Sequence, residues 1–305
     1  MRTRGHTARM AVAGVLAALL GGSLAGCQDG SAEGDSGSPS ASSTSASPSE
    51  RGASGMASGS PGWDTDPDSL AAVGDSITRA FDACGPLADC PESSWATGTD
   101  PAVDSLASRL LDRPSRDSRN LAVSGATMAD LPRQMAQAAD REPGLVTVLI
   151  GANDACRPSV EAMTPVAGFR ADFEEALRTL RDESPESQVY VASITDLERL
   201  WQVGRGEPDA RQVWEFGICP SMLRAPQATG DAATARREQV SARVDAYNSV
   251  LRQVCAEDRL CRWDGGAVHD YRFTAEALSG WDWFHPSREG QSELAELAYE
   301  RVTES

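Results

Sequence analysis

Apolar residues along this chain fall into two alternating patterns. Residues 69–73, 120–123, 145–150 and 188–193 are short apolar runs, and the first three end within two residues of a glycine. Such runs predict β-strands. Residues 145–150 (Leu-Val-Thr-Val-Leu-Ile) form the clearest one, a continuous and partly β-branched run that suits a central strand covered on both faces. Between the runs, residues 101–113, 128–139, 164–181, 233–256 and 287–302 carry apolar positions at helical spacing. Phe169, Phe173, Ala176, Leu177 and Leu180, for example, share one side. A last strand is expected around Ala267 and Val268. Residues 195–229, with Trp201, Trp214 and several Gly and Pro, read as a long loop that is functional or held by a disulfide. Strands alternating with helices predict an α/β fold with a parallel sheet and right-handed crossovers. On such a sheet, ligands bind beyond the carboxyl ends of the strands. The residues just after each strand are therefore the ones to examine for chemistry.

The first sixty residues break the pattern. Arg2, Arg4 and Arg9 precede an apolar stretch from Met10 to Leu20, followed by Leu24-Ala25-Gly26-Cys27. A basic start, a short apolar core and small residues predict a secretory signal over residues 1–26. The apolar part is shorter than the ~20 residues that span a bilayer. Leu-Ala-Gly-Cys resembles the lipobox of bacterial lipoproteins. That resemblance implies a lipidated Cys27 and an anchor on the outer face of the cell membrane. An ordinary signal with an incidental cysteine is the alternative, and palmitate label that survives Cys27→Ala would select it. Residues 27–62 are mostly Ser, Gly, Ala and Pro. They bury too little apolar surface to offset their ordering entropy, so a flexible tether is expected. This leaves residues 63–305 as the globular domain.

Composition narrows the chemistry. The 305 residues carry a net charge of −17, and all 28 basic residues are arginine. Without lysine there is no Schiff base, no P-loop lysine and no Ser–Lys dyad. The histidines are His6, His269 and His285. A zinc site of three imidazoles is thereby nearly excluded, and few groups remain to act as a base at neutral pH. Losing residues 1–26 removes three arginines and no acid, so −17 becomes −20. So acidic a chain repels phosphates, and no nucleic-acid partner is expected. Anionic headgroups would repel it too, so membrane attachment would rest on the acyl chains. Beyond Cys27 there are six cysteines: Cys84, Cys90, Cys156, Cys219, Cys255 and Cys261. An even number in an exported chain predicts three disulfides. Many pairings are formally open. Joining the near neighbours, Cys84 with Cys90 and Cys255 with Cys261, leaves Cys156 with Cys219. A metal site is the rival reading, but no C-x-x-C pair exists.

Four short segments sit at the expected strand ends or helix starts: Gly74-Asp75-Ser76, Ser124-Gly125-Ala126, Gly151-Ala152-Asn153-Asp154 and Asp282-Trp283-Phe284-His285. Ser76 is the candidate nucleophile. A serine hydroxyl is inert near neutral pH unless a base takes its proton. His285 is the candidate base, and Asp282 could accept the other ring N–H and fix the tautomer. The N–H groups of Ser76 and Gly125 and the Asn153 amide could stabilise a developing oxyanion. Each segment alone also reads as a turn or a helix cap. Their joint occurrence in this order favours catalysis. His269 is the rival base, and no comparable segment surrounds it. Trp281, Trp283 and Phe284 line an acyl pocket or simply pack.

Together these segments resemble the SGNH (GDSL-type) hydrolases. Gly74-Asp75-Ser76-Ile77 is similar to the first family block, with Ile77 where the family name has leucine. Residues 120–131 with Gly125, residues 151–154 and Asp282-x-x-His285 are similar to later blocks. The match runs over about residues 66–303. The resemblance implies a flavodoxin-like three-layer α/β/α sandwich with a mostly parallel five-stranded sheet. It implies ester hydrolysis through an acyl-serine, with Ser76, His285 and Asp282 as the triad and Ser76, Gly125 and Asn153 as the oxyanion donors. Asp75 would shape the nucleophile turn. No metal or organic cofactor is implied. The cysteine number and exported setting are similar to secreted actinobacterial lipases and esterases of this family. The expected substrate is a small-molecule, glycan or lipid ester, and a monomer is expected. A carbohydrate O-deacetylase on the same machinery and a non-catalytic binding lipoprotein are the alternatives. Residues 195–229 match no block and leave the substrate class open.

Overall fold

The computed structural model describes residues 62–304. The expected signal segment, Cys27 and the tether up to residue 61 lie outside the described residues. Five strands form one sheet: β1 (Leu70–Gly74), β2 (Ser118–Asn120), β3 (Leu145–Leu149), β4 (Gln188–Val191) and β5 (Cys261–Trp263), in the order β2-β1-β3-β4-β5. Each pairing among them is parallel. This is the flavodoxin-like order, in which the strand sequence reverses between β1 and β3. The longer helices are α1 (Leu106–Leu110), α2 (Leu131–Ala139), α3 (Val166–Glu183), α4 (Leu197–Gly204), α5 (Pro208–Trp214), α6 (Asp231–Cys255) and α7 (Arg288–Thr303). On one side of the sheet α3 packs against both α2 and α6, and α1 pairs with α7 on the other. With both faces covered, every residue of β1 and β3 is buried.

The pattern of apolar residues placed most elements within a few positions. Three expectations are corrected. No strand forms at Ala267 and Val268. Residues Ala267–Asp270 make one helical turn, and the edge strand lies earlier, at Cys261–Trp263. The cause is Asp264. Its carboxylate accepts the N–H groups of Gly266 (2.7 Å) and Val268 (3.1 Å), which starts a helical turn where an extended chain was expected. Second, residues 195–229 are held by a disulfide, as expected, but are partly helical and not a loop. They hold α4, α5 and the single turn Pro220–Leu223. Asp196 caps α4 by accepting from the N–H groups of Glu198 and Arg199, and prolines open the other two helices. Third, the helix expected over residues 101–113 shrinks to α1. Ser105 begins it by accepting the Ser108 N–H. The regular part of β2 also lies earlier than expected, although the Leu121 and Val123 N–H groups still bond to Ala72 and Gly74 of β1.

Among the described residues three disulfides tie the chain: Cys84–Cys90, Cys156–Cys219 and Cys255–Cys261. The first closes a small loop beyond β1. The second joins the segment after β3 to residues 195–229. The third links the end of α6 to the start of β5.

Candidate active site

The site forms at the carboxyl ends of β1 and β3, where the strand order reverses. Gly74 ends β1 at φ +143°, a value L side chains rarely adopt. A Cβ there would lie 2.2 Å from the Leu149 carbonyl oxygen of β3. Glycine thus lets the two strands stay in contact while the chain turns into Asp75 and Ser76. Gln134 of α2 fixes the turn from behind. Its amide oxygen accepts the Gly74 N–H (2.7 Å), and its amide nitrogen donates to the Gly74 carbonyl (2.9 Å). The sequence reading overlooked Gln134. It is fully buried on the same helical face as Leu131, Met135 and Ala138.

Gly151 performs the same service after β3, at φ +122°; a Cβ would meet the Ile194 side chain at 2.5 Å. The one-turn helix Ala152–Ala155 follows and carries Asn153 and Asp154. Two bonds join it to the loop that follows β2. The Asn153 amide donates to the Ala126 carbonyl (2.9 Å), and the Asp154 carboxylate accepts the Met128 N–H (2.9 Å). Gly125, one residue before Ala126, is thereby held on the same edge of the sheet as Asn153 and Ser76.

His285 arrives from the loop before α7. Its Nε2 lies 2.8 Å from the Ser76 Oγ. Its Nδ1 bonds the Asp282 carboxylate. Asp282 also accepts two backbone N–H groups, from Phe284 (2.9 Å) and His285 itself (3.0 Å). Trp283, between them, takes a left-handed backbone at φ +55°, so the turn is tight. The ring of His285 sits between Phe81 and Phe284, at centroid distances of 5.0 and 5.1 Å. Residues 195–229 reach this loop as well: the Trp214 indole N–H donates to the Asp282 carbonyl (2.9 Å).

The electrostatics follow from burial and pairing. Burial alone would lower the His285 pKa. The Asp282 carboxylate, by hydrogen bond and charge, outweighs it and holds the imidazole above its ordinary value, with help from Asp75 and Asp82. Asp282 is pulled the other way. Burial raises it, but His285 and the two backbone N–H groups leave it below the ordinary carboxylate range. Asp75 is fully buried, and burial pushes its pKa up to about 7. One of its oxygens accepts the Ile77 N–H (3.0 Å), which fits the turn-shaping role.

Asp75 also makes stability depend on pH. Below about pH 4 the carboxyl is protonated in folded and unfolded chains alike. Between there and pH 7 the folded protein keeps a proton that the unfolded chain has released. Stability therefore falls as pH rises through this window, by up to about 4 kcal/mol from this group. Asp75→Asn keeps an acceptor for Ile77 and has no such window. In thermal melts its advantage over the parent should widen from pH 5 to pH 8. A constant difference across that range would show that Asp75 is ionised in the fold.

His269 does not join the site. Its Nδ1 lies 2.9 Å from the Ile194 carbonyl oxygen, and its backbone N–H donates to Ser193. Two groups of potential metal donors occur among the described residues. One is Cys84, Cys90 and Glu92, but both cysteines are in a disulfide and offer no thiolate. The other is Asp82, Asp282 and His285, where Asp282 and His285 are already bonded to each other and His285 also to Ser76. Trp281 is exposed beside the site, whereas Trp283 and Phe284 are half-buried against the core.

A family model described as GDSL-like lipase/acylhydrolase matches residues 72–292. Among solved structures, the chain is similar to an extracellular lipase from Streptomyces rimosus, at 15% identity over 78% of this chain and 100% of that one, TM-score 0.45. It is similar to phospholipase A1 from Streptomyces albidoflavus NA297, at 17% identity over 78% and 100%, TM-score 0.45. It is also similar to a family 3 carbohydrate esterase from Clostridium thermocellum, at 13% identity over 77% and 94%, TM-score 0.44. Among curated proteins, none matches.

Proposed function

The chain belongs to the GDSL-like lipase/acylhydrolase family, and from that premise we propose that it is a serine ester hydrolase working through an acyl-serine intermediate. The observation that carries this reading is the unbroken hydrogen-bond chain from Ser76 through His285 to Asp282. Ser76 Oγ attacks the ester carbonyl carbon while His285 Nε2 takes its proton. The carbonyl oxygen becomes an oxyanion, stabilised by the N–H groups of Ser76 and Gly125 and the Asn153 amide. The intermediate collapses, and the alcohol departs with the proton from His285. Water then attacks the acyl-serine, with His285 again as base, and releases the acid. Asp282 keeps the imidazole in the reactive tautomer and stabilises its cation. This route uses side chains and backbone alone.

A fluorophosphonate probe reports on the nucleophile without knowledge of the natural substrate. It should label Ser76 in the folded protein, and the label should disappear in Ser76→Ala. A folded protein that takes no label, and turns over no member of a panel of p-nitrophenyl acyl esters and acetylated sugars, would defeat the proposal. The same panel separates a preference for long acyl chains from a preference for acetylated glycans.

A further inference from the structure

The loop beyond the nucleophile brings a second carboxylate to the base. Asp82 is 3% exposed, as deeply buried as Asp282. One oxygen of Asp82, one of Asp282 and a ring nitrogen of His285 lie within 4.8 Å of one another. The placement is firmly built. Asp82 adopts a left-handed backbone at φ +61°. Its N–H donates to the Ala88 carbonyl (2.9 Å), and its carboxylate accepts the Leu87 N–H. The Cys84–Cys90 disulfide closes the same loop. From the other side, the Ser279 hydroxyl donates to the Asp82 carbonyl (2.8 Å), and the Ser279 N–H donates to the His285 carbonyl (2.8 Å). One serine thus ties the backbone of Asp82 to that of the base.

We propose that Asp82 is a positioning residue for the base, whose carboxyl joins Asp282 and His285 in one acid–base unit and sets the basicity of the imidazole. The proposal rests on the reading of His285 as the general base. Two carboxyls this close in a dry site do not ionise independently. Burial, and after it the negative charge of Asp282, raises the Asp82 pKa. Asp282, which holds His285 and two backbone N–H groups, is the one that stays ionised. The other charged groups facing the unit are few. Asp75 approaches from the turn after β1 and has Asp154 behind it. The Arg79–Asp89 pair (3.1 Å) lies on the Asp82 loop but is partly exposed, so solvent screens it. When Asp82 ionises, it adds a negative charge beside the imidazole and favours the cation that forms as Ser76 attacks. When Asp82 is protonated, that support is withdrawn.

The test is the titration of the His285 ring by NMR in the full chain. With three histidines in the sequence, its signals are assigned by comparison with His285→Ala. Asp82→Asn keeps an acceptor for Leu87 and tolerates the left-handed backbone. It should lower the His285 pKa by about half a unit or more. The acid limb of kcat/KM should move down by the same amount, whereas a purely structural role would lower activity and leave that limb in place. An unmoved ring titration overturns the proposal. The unmodified protein gives a second measurement. Its Asp82 carboxyl 13C signal should titrate above the ordinary aspartate range, and the same inflection should recur in the His285 signals. A carboxyl titrating at about 4, with no matching inflection, overturns the proposal whether or not the variant folds. Ring titration needs no substrate. Absent ester turnover would therefore refute the enzymatic reading, while the coupling of Asp82 to His285 is decided separately by NMR.

Discussion

His285→Ala should lower ester hydrolysis by about 10⁴-fold or more, while His269→Ala should leave it within a few-fold. The two histidines share their chemistry and differ in their neighbours. His285 bonds the Ser76 hydroxyl on one ring nitrogen and a buried carboxylate on the other. His269 lies against the Ile194 carbonyl, and Ser76 is not among its partners. Without a base the serine hydroxyl keeps its proton, and the large penalty follows from that single loss. Ser76→Ala should be equally inactive, and the double variant little worse, because nucleophile and base act as one unit. The rate in the parent should rise with pH as His285 becomes neutral. Since Asp282 holds the imidazole pKa above its ordinary value, that rise should centre above about pH 6.5. Purified variants assayed on one reactive ester settle the matter. An active His285→Ala alongside an inactive His269→Ala would reverse the assignment.

Asn153→Ala should cost about 10²–10³-fold in kcat, with little change in KM. One amide N–H of Asn153 is used by the Ala126 carbonyl, which fixes the side chain against the loop after β2. On the proposed mechanism the other donates to the oxyanion. A donor that meets charge only in the transition state stabilises that state and not bound substrate, so its loss appears in kcat. Asn153→Asp is the sharper variant. It keeps the size but replaces the donor with an acceptor that repels the developing charge, so it should be worse than alanine. If both variants lose less than about threefold, Asn153 only joins the two loops and the oxyanion is held by backbone alone.

Much of the site could be read from the chain because its parts are short and local. Gly74-Asp75-Ser76 and Gly151-Ala152-Asn153-Asp154 follow buried apolar runs that announce strands, and a parallel sheet puts the ends of such strands on one edge. Asp282 and His285 are three residues apart, close enough for a single turn to join them. The overlooked residues make their contacts far along the chain. Gln134 meets Gly74 sixty residues away. Asp82 meets Asp282 and His285 across the domain, and Trp214 bonds the Asp282 carbonyl from residues 195–229. A polar residue on a helix or in a loop has no periodicity of its own, so nothing local marks it as part of the site. The last strand was misplaced for a related reason. Cys261–Trp263 is a half-buried edge strand with an arginine at its centre, a weak apolar signal, whereas Ala267 and Val268 are apolar but capped into a turn by Asp264.

The sequence by itself determined the alternation of strands and helices, the family, and a list of bases so short that two histidines beyond the N-terminal region had to be compared. Scarcity did this, since a chain with three histidines offers few groups that change charge near neutral pH. The sequence already favoured His285, which has an aspartate three residues before it, and only the tertiary structure placed its ring against Ser76, through a hydrogen bond spanning 209 residues. It alone disclosed the second carboxylate at the base, since what brings Asp82 and Asp282 together is the packing of two distant loops.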